Sequence, residues 1–450
     1  MIKAVGNVMP TAFFCIYMEE LYQIYKKCGS VVCTDTRNII KGSLFIALKG
    51  SSFDGNMFAE NAIESGAAYA VVDNKQIAGK SEKMYLVEDT LSALQQLATY
   101  HRQSVNFKVI ALTGSNGKTT TKELLASVLA KKYRLHATMG NFNNHIGVPL
   151  TLLSVPSETE VVIVEMGANH SGEIALLAQI ALPNEGIITN IGKAHLEGFG
   201  SIDGVLKAKT ELFKLLKKSK GKIYFNNGDK KLNELKEEYS DNTILYNSKE
   251  SGKYITQIDM SPYLHCDVSV GGKVYSINTH LMGEYNAENI LAALTVGIEN
   301  GIRPEICVEA IQKYIPQNNR SQLIDSGKNK IILDAYNANP TSMYKALSSF
   351  KKVSGKNKVI ILGEMKETGG EERQIHSELV HFLKNEKDYE QVFLVGNIFL
   401  EISDSSDTKI KCFTNVESLL VHLTRESLSD KTILVKGSRT VKLEKVLELL

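Results

Sequence analysis

The sequence predicts an α/β fold in three domains, and three observations support this prediction. The chain has 450 residues, which suggests three domains at about 150 residues each. Short apolar runs alternate with segments of helical length, a pattern typical of parallel sheets covered by helices. The alternation starts again after the polar segment at residues 312–319. We therefore expect domains at residues 1–106, 107–317 and 318–450.

The first predicted domain, residues 1–106, is a small α/β domain. It contains apolar runs at residues 44–48 and 68–72, with the turn signal Asp54-Gly55 between them. A polar stretch at residues 101–108 precedes the first strongly strand-like run. The first domain boundary is therefore expected in this stretch.

The second predicted domain, residues 107–317, has the pattern of a parallel sheet. A helix is expected at residues 119–131, because leucine and valine recur on one of its faces. Three apolar runs predict its strands, at residues 109–112, 161–164 and 186–189.

The third predicted domain, residues 318–450, is expected to be doubly wound and Rossmann-like. Segments of helical length separate its apolar runs. These runs lie at residues 331–333, 359–362, 392–395 and 433–435.

The composition is that of a globular protein and excludes some classes of partner. Lys and Arg number 52 and Asp and Glu number 50, which leaves a formal charge of +2. This balance argues against a strongly basic nucleic-acid-binding or membrane-surface protein. Hydrophobic residues make up 43% of the chain and charged residues 23%, which argues against disorder. We expect a monomer with small-molecule partners, no nucleic acid and no membrane.

The cysteines and the first residues favour a cytoplasmic protein. The six cysteines are scattered and form no Cys-x-x-Cys pair, so neither a zinc site nor a disulfide framework is indicated. Residues 1–18 are mildly apolar but run directly into Glu19-Glu20 without a small-residue cleavage site, which argues against a signal peptide. No apolar run approaches the roughly 18 residues needed to span a bilayer.

Residues 113–120, Thr-Gly-Ser-Asn-Gly-Lys-Thr-Thr, predict a phosphate-binding loop. They follow an apolar strand and open a helix, where glycines let the backbone approach phosphate and helix amides point at the anion. In such a loop Lys118 reaches the terminal phosphates and the Thr119 hydroxyl faces Mg²⁺. A full Walker A motif would have glycine at the position of Leu112. The alternative is a Gly-Asn turn before an ordinary helix.

Two further candidate residues follow strands of the same block. Glu165 comes directly after the run at residues 161–164, and His195 follows the segment that begins at Thr189. Sheets of this class bind ligands at the carboxyl ends of their strands, and Mg²⁺ prefers oxygen ligands. Alone, Glu165 could be a solvated loop acid and His195 a satisfied structural histidine. Beside a phosphate loop both become candidate magnesium ligands.

Longer segments resemble the Mur ligases, the ATP-dependent amide-forming enzymes of peptidoglycan precursor synthesis. The variant loop at residues 113–120 has the family's pattern, and residues 165–173 and 334–342 are the most discriminating matches. The other matching segments are residues 34–37, 42–45, 53–55, 140–144, 146–149, 194–200, 208–213, 285–289, 362–365 and 435–439.

The resemblance implies a separate ligand-binding function for each domain. The first would bind a UDP-sugar, the second ATP, and the third would close over the ribose and phosphates and take an incoming dipeptide. Within the family the chain most resembles the enzymes that add D-alanyl-D-alanine to UDP-N-acetylmuramoyl-tripeptide. That activity forms an amide through an acyl phosphate, releases ADP and phosphate, and serves cell wall, cell shape and cell division.

The resemblance also implies catalytic and nucleotide-binding roles. The catalytic set is Lys118, Lys209, His195 and Arg320, with Lys209 carbamylated to N6-carboxylysine. Two Mg²⁺ ions would be held by Thr119, Glu165, His195 and the Lys209 carbamate. Asn286 and Asn289 would lie beside the adenine, and Arg320 and Asp334 would close over the phosphates and ribose. The ATP-binding set comprises these four residues together with Gly114, Ser115, Asn116, Gly117, Lys118, Thr119 and Thr120.

The substrate-binding residues follow from the same resemblance. The UDP-sugar would be held by Thr36, Arg37, Phe45 and Asp54. The dipeptide and the reacting carboxylate would meet Asn337, Asn339, Ser342 and His376. The family's usual Asp-Gly-His is Asp54-Gly-Asn56 in this chain, which puts the UDP contact near Asn56 in question.

Three other functions remain as alternatives. One is a related ligase that adds a single amino acid to a muramoyl peptide or to folate, which residues 334–342 argue against. Another is a nucleotide-binding regulatory protein that has lost catalysis, which the intact Lys118, Glu165 and Lys209 argue against. A motor or GTPase is disfavoured because no guanine-type Asn-Lys-x-Asp stretch is evident.

Overall fold

The computed structural model describes residues 11–260, 263–317, 320–355, 357–366, 368–403 and 409–450. They form two compact units. Unit 1 comprises the described residues up to Ala111 together with Tyr133–Gly167 and Glu173–Glu185. Unit 2 comprises Leu112–Lys132, Ala168–Gly172 and Gly186–Leu450, as far as they are described. Residue 318, where the third predicted domain starts, lies outside the described residues.

The α-helices are numbered in chain order. They are α1 Thr11–Lys27, α2 Ala59–Glu64, α3 Lys75–Ala78, α4 Thr90–Ser104, α5 Lys118–Leu129, α6 Gly147–Leu153, α7 Glu173–Ala181, α8 Leu196–Phe199, α9 Ile202–Lys209, α10 Glu211–Ser219, α11 Lys230–Asn233, α12 Asn286–Glu299, α13 Pro304–Lys313, α14 Pro340–Lys352, α15 Glu372–Asn385, α16 Asn397–Ile402 and α17 Val416–Arg425. No helix among the described residues is long and apolar enough to cross a membrane.

The strands are numbered in the same way. They are β1 Val32–Cys33, β2 Leu44–Ile46, β3 Tyr69–Val72, β4 Met84–Leu86, β5 Lys108–Thr113, β6 Leu135–Ala137, β7 Val161–Glu165, β8 Glu185–Ile188, β9 Lys222–Asn226, β10 Thr243–Tyr246, β11 Lys253–Met260, β12 Leu264–Val270, β13 Lys273–Asn278, β14 Gln322–Asp325, β15 Lys330–Asp334, β16 Lys358–Gly363, β17 Gln391–Val395, β18 Ile410–Phe413 and β19 Thr432–Lys436.

Unit 1 contains a four-stranded parallel sheet in the order β1-β2-β3-β4. Its core includes Phe45, Ala59 and Val72, which belong to the predicted runs or the adjacent helix α2. Helix α1 packs on α4, where the rings of Tyr22 and Tyr100 lie 5.0 Å apart. The small N-terminal α/β domain that the sequence predicts is confirmed.

A six-stranded sheet has the order β10-β9-β8-β5-β7-β6. The predicted runs at residues 109–112, 161–164 and 186–189 lie in or overlap β5, β7 and β8. Continuous apolar strands suit a sheet that is buried on both faces. The predicted helix at residues 119–131 is α5.

Unit 2 also contains an antiparallel sheet, β11-β12-β13, that the sequence analysis missed. The central strand β12 alternates in burial over most of its length, whereas β11 exposes consecutive residues, and the register shifts between Ile255 and Gln257. An alternating pattern interrupted in this way is a weak signal in a sequence.

The last sheet has the order β14-β15-β19-β16-β17-β18, with every neighbouring pair parallel except β14 and β15. Two separate apolar cores include residues of this sheet. One core contains Leu347 and Leu379 from α14 and α15, and the other contains Leu419 from α17. Helices therefore cover both faces, and the doubly wound, Rossmann-like prediction is confirmed.

Candidate functional site

The segment between β5 and α5 forms the predicted phosphate-loop turn. The φ angles of Gly114 and Gly117 are 147° and 78°, values that favour glycine. A Cβ atom on Gly114 would lie 2.0 Å from Oγ1 of Thr189, and one on Gly117 would lie 2.5 Å from Oδ1 of Asn289. Both positions require glycine because of the backbone angle and because of the lack of space.

Residues directly after β8 hold this loop in place. The backbone N–H of Ser115 donates to the Asn190 carbonyl at 3.0 Å, and that of Asn116 donates to Asn190 Oδ1 at 3.0 Å. The Ser115 hydroxyl donates to the Gly192 carbonyl at 3.1 Å. These bonds fix the start of α5, where exposed N–H groups and the helix dipole attract phosphate. The sequence analysis missed Asn190, whose only signal was a polar residue just beyond a strand.

The Lys118 side chain folds back over its own loop. Its Nζ donates to the Gly114 carbonyl at 2.8 Å and to the Ser115 carbonyl at 3.4 Å. Thr119 follows in the first turn of α5 and is buried, whereas Thr120 is half-buried. The ammonium and both hydroxyls thus belong to the same helix start, which suits them to a polyphosphate and its metal ion.

Lys209 and His195 pack around one aromatic ring in unit 2. Lys209, the last residue of α9, is 1% exposed, and its Nζ donates to the Ala168 carbonyl at 3.4 Å. Its Nζ also lies 5.3 Å from the centre of the Phe199 ring. The His195 ring meets the same ring edge-on, with the centroids 6.3 Å apart. The structure therefore brings these two predicted residues together.

Glu165 belongs to unit 1, where it is the last residue of β7. Its carboxylate is buried and accepts a hydrogen bond from Asn143 Nδ2 at 2.9 Å. Its backbone N–H donates to Thr138 Oγ1 at 3.0 Å. The side chain is therefore oriented by its neighbours, which is what a metal ligand requires.

Thr119, Glu165 and His195 each carry a side-chain atom that can bind a metal ion. Among the described residues, no group of three or more His, Cys, Asp or Glu side chains is arranged to hold a metal ion. Magnesium does not need such a cage, because it usually keeps several waters and binds one or two carboxylates plus substrate phosphates. The hydroxyl and carboxylate oxygens found here are ligands of that kind.

Asn286 and Asn289 connect α12 to the phosphate-loop helix. Asn289 Nδ2 donates to Asn286 Oδ1 at 2.8 Å, and Asn286 Nδ2 donates to the Met282 carbonyl at 2.7 Å. The Thr121 hydroxyl of α5 donates to Asn289 Oδ1 at 3.1 Å. Both asparagines are buried. Their observed contacts brace the loop, a role that the sequence analysis missed.

Asp334 lies at the carboxyl end of β15 in a tight ion pair. Lys436 Nζ is 2.6 Å from Asp334 Oδ2 and also donates to the Asn337 carbonyl at 3.3 Å. Lys436 is 1% exposed, so its charge is committed to Asp334. This lysine received no role in the sequence analysis.

Asn339 links the start of α14 to the phosphate loop. Its side chain and that of Ser342 form a capping box, and its Nδ2 donates to Asn116 Oδ1 at 2.8 Å. The Lys193 backbone N–H donates to Thr341 Oγ1 at 3.2 Å. Residues predicted to meet the dipeptide therefore touch the predicted ATP loop, whereas Asn337 is exposed.

Arg320 stacks on an aromatic ring of the same region. Its Cζ lies 3.7 Å from the centre of the Tyr336 ring, and its Nε is buried without a hydrogen-bond partner among the described residues. A buried donor left unsatisfied is costly, so this guanidinium is suited to receive an anion.

His376 is a core residue in this structure. It is fully buried, and burial lowers the pKa of its ring. Nε2 accepts from the Met365 backbone N–H at 2.9 Å, and Nδ1 lies 2.7 Å from the Glu372 carbonyl. Both ring nitrogens of this residue, which was expected near the dipeptide, are therefore engaged by backbone groups.

The residues predicted for the UDP-sugar differ in exposure within unit 1. Arg37 is exposed and pairs with Asp35 at 2.6 Å, and the Arg37 hydrogen bonds lower the pKa of Asp35 to about 2. Asp35 also caps the short 3₁₀ helix that contains Thr36. Phe45, also expected at the UDP-sugar, is buried in the sheet core.

Asp54 caps a second 3₁₀ helix, Gly55–Phe58. The Asn56 side chain donates to Asp54 Oδ1 and to Asp73 Oδ1, both at 2.7 Å. Asn56 is buried. The asparagine that replaces the family's histidine is therefore hydrogen-bonded to its neighbours within the fold.

Comparisons with known protein families match most of the chain. The Mur ligase family catalytic domain matches residues 30–102, the Mur ligase middle domain residues 112–297, and the Mur ligase glutamate ligase domain residues 319–439.

Several curated relatives are similar over nearly their whole length. A UDP-N-acetylmuramoyl-tripeptide–D-alanyl-D-alanine ligase of Bacillus subtilis is 37% identical, over 93% of this chain and 92% of the relative. The ligase of the same name from Escherichia coli is 32% identical, over 93% of each chain.

Solved structures are similar as well. The crystal structure of MurF from Acinetobacter baumannii has a TM-score of 0.84 at 30% identity and covers 95% of this chain and 97% of its own. The MurF ligase from Thermotoga maritima in complex with ADP has a TM-score of 0.83 at 26% identity, covering 93% and 96%.

Proposed function

The chain belongs to the Mur ligase family, and on that basis we propose that it joins D-alanyl-D-alanine to UDP-N-acetylmuramoyl-tripeptide. The reaction uses ATP and releases ADP and phosphate. The observation that carries the proposal is the bond between Asn339 and Asn116, because it joins the proposed dipeptide segment to the proposed ATP loop. The relatives that carry this activity in their names support it.

The proposed reaction first activates the tripeptide carboxylate as an acyl phosphate, so that phosphate can leave when the amine attacks. The terminal carboxylate of the tripeptide attacks the γ-phosphate of ATP, which forms an acyl phosphate and ADP. The dipeptide amine attacks the acyl carbon, and the tetrahedral intermediate collapses with loss of phosphate. The protein contributes by positioning three reactants and neutralising charge. Water must be excluded from the acyl phosphate throughout.

We assign the charge neutralisation to cations beside the phosphate loop. Lys118, now bonded to its own loop carbonyls, would exchange those acceptors for γ-phosphate oxygens. Arg320, with its unpartnered Nε, would take phosphate charge as it develops.

Thr119, Glu165, His195 and Lys209 would hold Mg²⁺, which we propose as two ions. Bound magnesium would neutralise phosphate charge. The Lys209 ammonium would lose a proton, and the resulting amine would add to carbon dioxide. An N–C bond forms as one C=O π bond opens, and a second proton is lost, so that a buried cation becomes an anionic oxygen ligand. The burial of Lys209, which is 1% exposed, supports that conversion, because taking a charge out of water is costly.

The remaining roles are proposed on the family resemblance. Asn286 and Asn289 would line the adenine side, and Asp334 the ribose. Thr36, Arg37 and Asp54 would hold the UDP-sugar. Phe45 would also lie at the UDP-sugar and His376 near the dipeptide, on the resemblance alone. Gly114, Ser115, Asn116, Gly117 and Thr120 would surround the phosphates, and Asn337, Asn339 and Ser342 would lie at the dipeptide.

We also propose that residues 1–106, 107–317 and 318–450 are the UDP-sugar, ATP and dipeptide domains. Each of the three family matches falls inside one of these ranges. We further propose that the enzyme is cytoplasmic and monomeric.

An acceptor comparison tests the function. ADP release is measured with UDP-N-acetylmuramoyl-tripeptide and ATP, with either D-alanyl-D-alanine or single amino acids such as glutamate as the acceptor. The proposal predicts ADP release with the dipeptide alone. ADP release with glutamate would favour a ligase that adds a single amino acid. If neither acceptor leads to ADP release, a protein without ligase activity would be favoured.

A further inference from the structure

We propose that Arg439 binds the terminal carboxylate of the incoming dipeptide and that the Tyr336 ring positions its guanidinium. The inference rests on the proposed function, because it names one contact within that dipeptide site. Arg439 ends the matching segment at residues 435–439, and neither the sequence analysis nor the function proposed above assigns it a role.

Arg439 lies at the carboxyl edge of the C-terminal sheet. Strand β19 pairs with β15 and β16, with Lys436 in register with Asp334 and Leu362. The loops that follow these strands therefore leave the sheet at the same edge, where doubly wound sheets bind ligands. A Cβ atom on Gly437 would lie 3.0 Å from the Gly363 Cα, so two of the loops run in close contact.

Two guanidinium groups stack on the Tyr336 ring at this edge. Cζ of Arg439 lies 5.3 Å from the ring centre, and Cζ of Arg320 lies 3.7 Å from it. Stacking on an aromatic face restrains a guanidinium while leaving its N–H donors available. Two neighbouring positive charges on one ring repel each other, which favours the arrival of anions.

Arg439 remains available for a new partner at this edge. Lys436 is buried and committed to Asp334, and Arg320 is proposed for the phosphates. Arg439 is exposed, and it forms no ion pair among the residues that the structure describes. A guanidinium matches the two oxygens of a carboxylate through paired hydrogen bonds.

The dipeptide supplies the complementary anion. Its amine must reach the acyl carbon, while its carboxylate lies at the other end of the molecule and must be kept away from the acyl phosphate. Binding that carboxylate to Arg439 orients the amine toward the reaction centre and makes a free carboxylate part of what is recognised. Losing a hydrogen bond to a charged group costs roughly 10- to 150-fold in an equilibrium constant.

The test compares two acceptors, D-alanyl-D-alanine and its C-terminal amide, in the full-length protein. For each acceptor, kcat/KM is measured by ADP release, and the KM for ATP is measured in parallel. We expect the wild type to prefer the free carboxylate by about 10- to 150-fold. In Arg439→Gln that preference should disappear, mainly through a higher KM for the dipeptide, with the KM for ATP unchanged.

Two control variants separate this role from general effects of charge or packing. Lys442→Gln removes another exposed cation three residues along the chain and should behave as the wild type. Tyr336→Phe keeps the stacking ring and should retain the preference, whereas Tyr336→Leu should weaken it. Retention by phenylalanine identifies the ring rather than the hydroxyl as the positioning group.

Three results would overturn the proposal. They are a wild type that uses acid and amide equally, an Arg439→Gln variant that keeps the preference, and a variant whose only change is a higher KM for ATP. The wild-type comparison requires no substitution, so the proposal stays refutable if Arg439→Gln does not fold. A wild type that ligates neither acceptor would overturn the proposed function itself, and with it this inference.

Discussion

Replacing Gly117 by alanine tests the geometry of the phosphate loop directly. Gly117 caps α5 with a φ of 78°, and an added Cβ would lie 2.5 Å from Oδ1 of Asn289. That amide is held in turn by Thr121 and Asn286. The new methyl group can therefore be accommodated only by moving the loop or by breaking the brace.

The cost can be divided into two parts. A residue with a side chain in the left-handed region costs roughly 1–2 kcal/mol, and overpacking adds about 1–3 kcal/mol. Gly327 supplies a matched control, because its φ is also 78° and nothing lies within 4 Å of its added Cβ. We therefore expect a loss of stability of about 2–5 kcal/mol for Gly117→Ala and about 1–2 kcal/mol for Gly327→Ala.

The assay combines unfolding with catalysis. Urea unfolding midpoints rank the stability of the two variants, and ADP release gives kcat/KM for ATP. A displacement of about 1 Å at a reacting centre can cost roughly 100-fold in rate, so Gly117→Ala should lose at least that much activity. Gly327→Ala should keep its activity, because the structure shows hydrogen bonds from its turn to Asp325, Asn329 and Leu450, none of which is assigned to the proposed site.

A second substitution isolates the contact with Asn289. Removing that amide in the double variant Gly117→Ala/Asn289→Ala makes room for the methyl group. The double variant should therefore lose less unfolding free energy than the two single variants lose together. The reasoning is refuted if Gly117→Ala and Gly327→Ala lose equal stability and activity, or if the double variant shows simple additivity.

Three further predictions concern other parts of the chain. Lys209→Ala should lose ligation by roughly 100-fold or more, as expected for a disrupted metal site, and should recover part of it with added short carboxylic acids; full activity without them would exclude the carbamate. Lys436→Met leaves Asp334 as an uncompensated charge and should cost about 3–5 kcal/mol in urea unfolding, and adding Asp334→Asn should recover part of that loss. Burial, with a contribution from a nearby lysine, lowers the pKa of His101 from 6.5 to about 4. The unfolded state therefore binds more protons between these values, so stability should fall as the pH drops from 6.5 toward 4, and a His101→Phe variant should show less of that slope.

The strands and the phosphate loop could be predicted because their signals are local. The run at residues 161–164 is continuous and apolar, which is enough to predict a buried strand. The spacing of glycine and lysine at residues 114–118 predicts a turn whose backbone can approach phosphate. The antiparallel strands β11 to β13 were missed because half-exposed, bulged strands leave only a broken alternation in the sequence.

The contacts that complete the site could not be read from local patterns. Asn190 and Lys436 act through partners that are distant in the sequence, so nothing near them indicates their role. His376 and Phe45 were assigned from the family resemblance, and both are buried in this structure, so the substrate contacts expected of them stay predictions. The burial of a residue depends on how whole helices and strands pack, and many residues together determine that packing, so a local pattern does not reveal it.

One isotope experiment tests the proposed reaction most directly. UDP-N-acetylmuramoyl-tripeptide labelled with heavy oxygen in its terminal carboxylate is incubated with ATP, D-alanyl-D-alanine and the protein. The acyl-phosphate route predicts one labelled oxygen in each released phosphate, together with a product whose mass equals tripeptide plus dipeptide minus water. Unlabelled phosphate, or ADP release without that product, would contradict it.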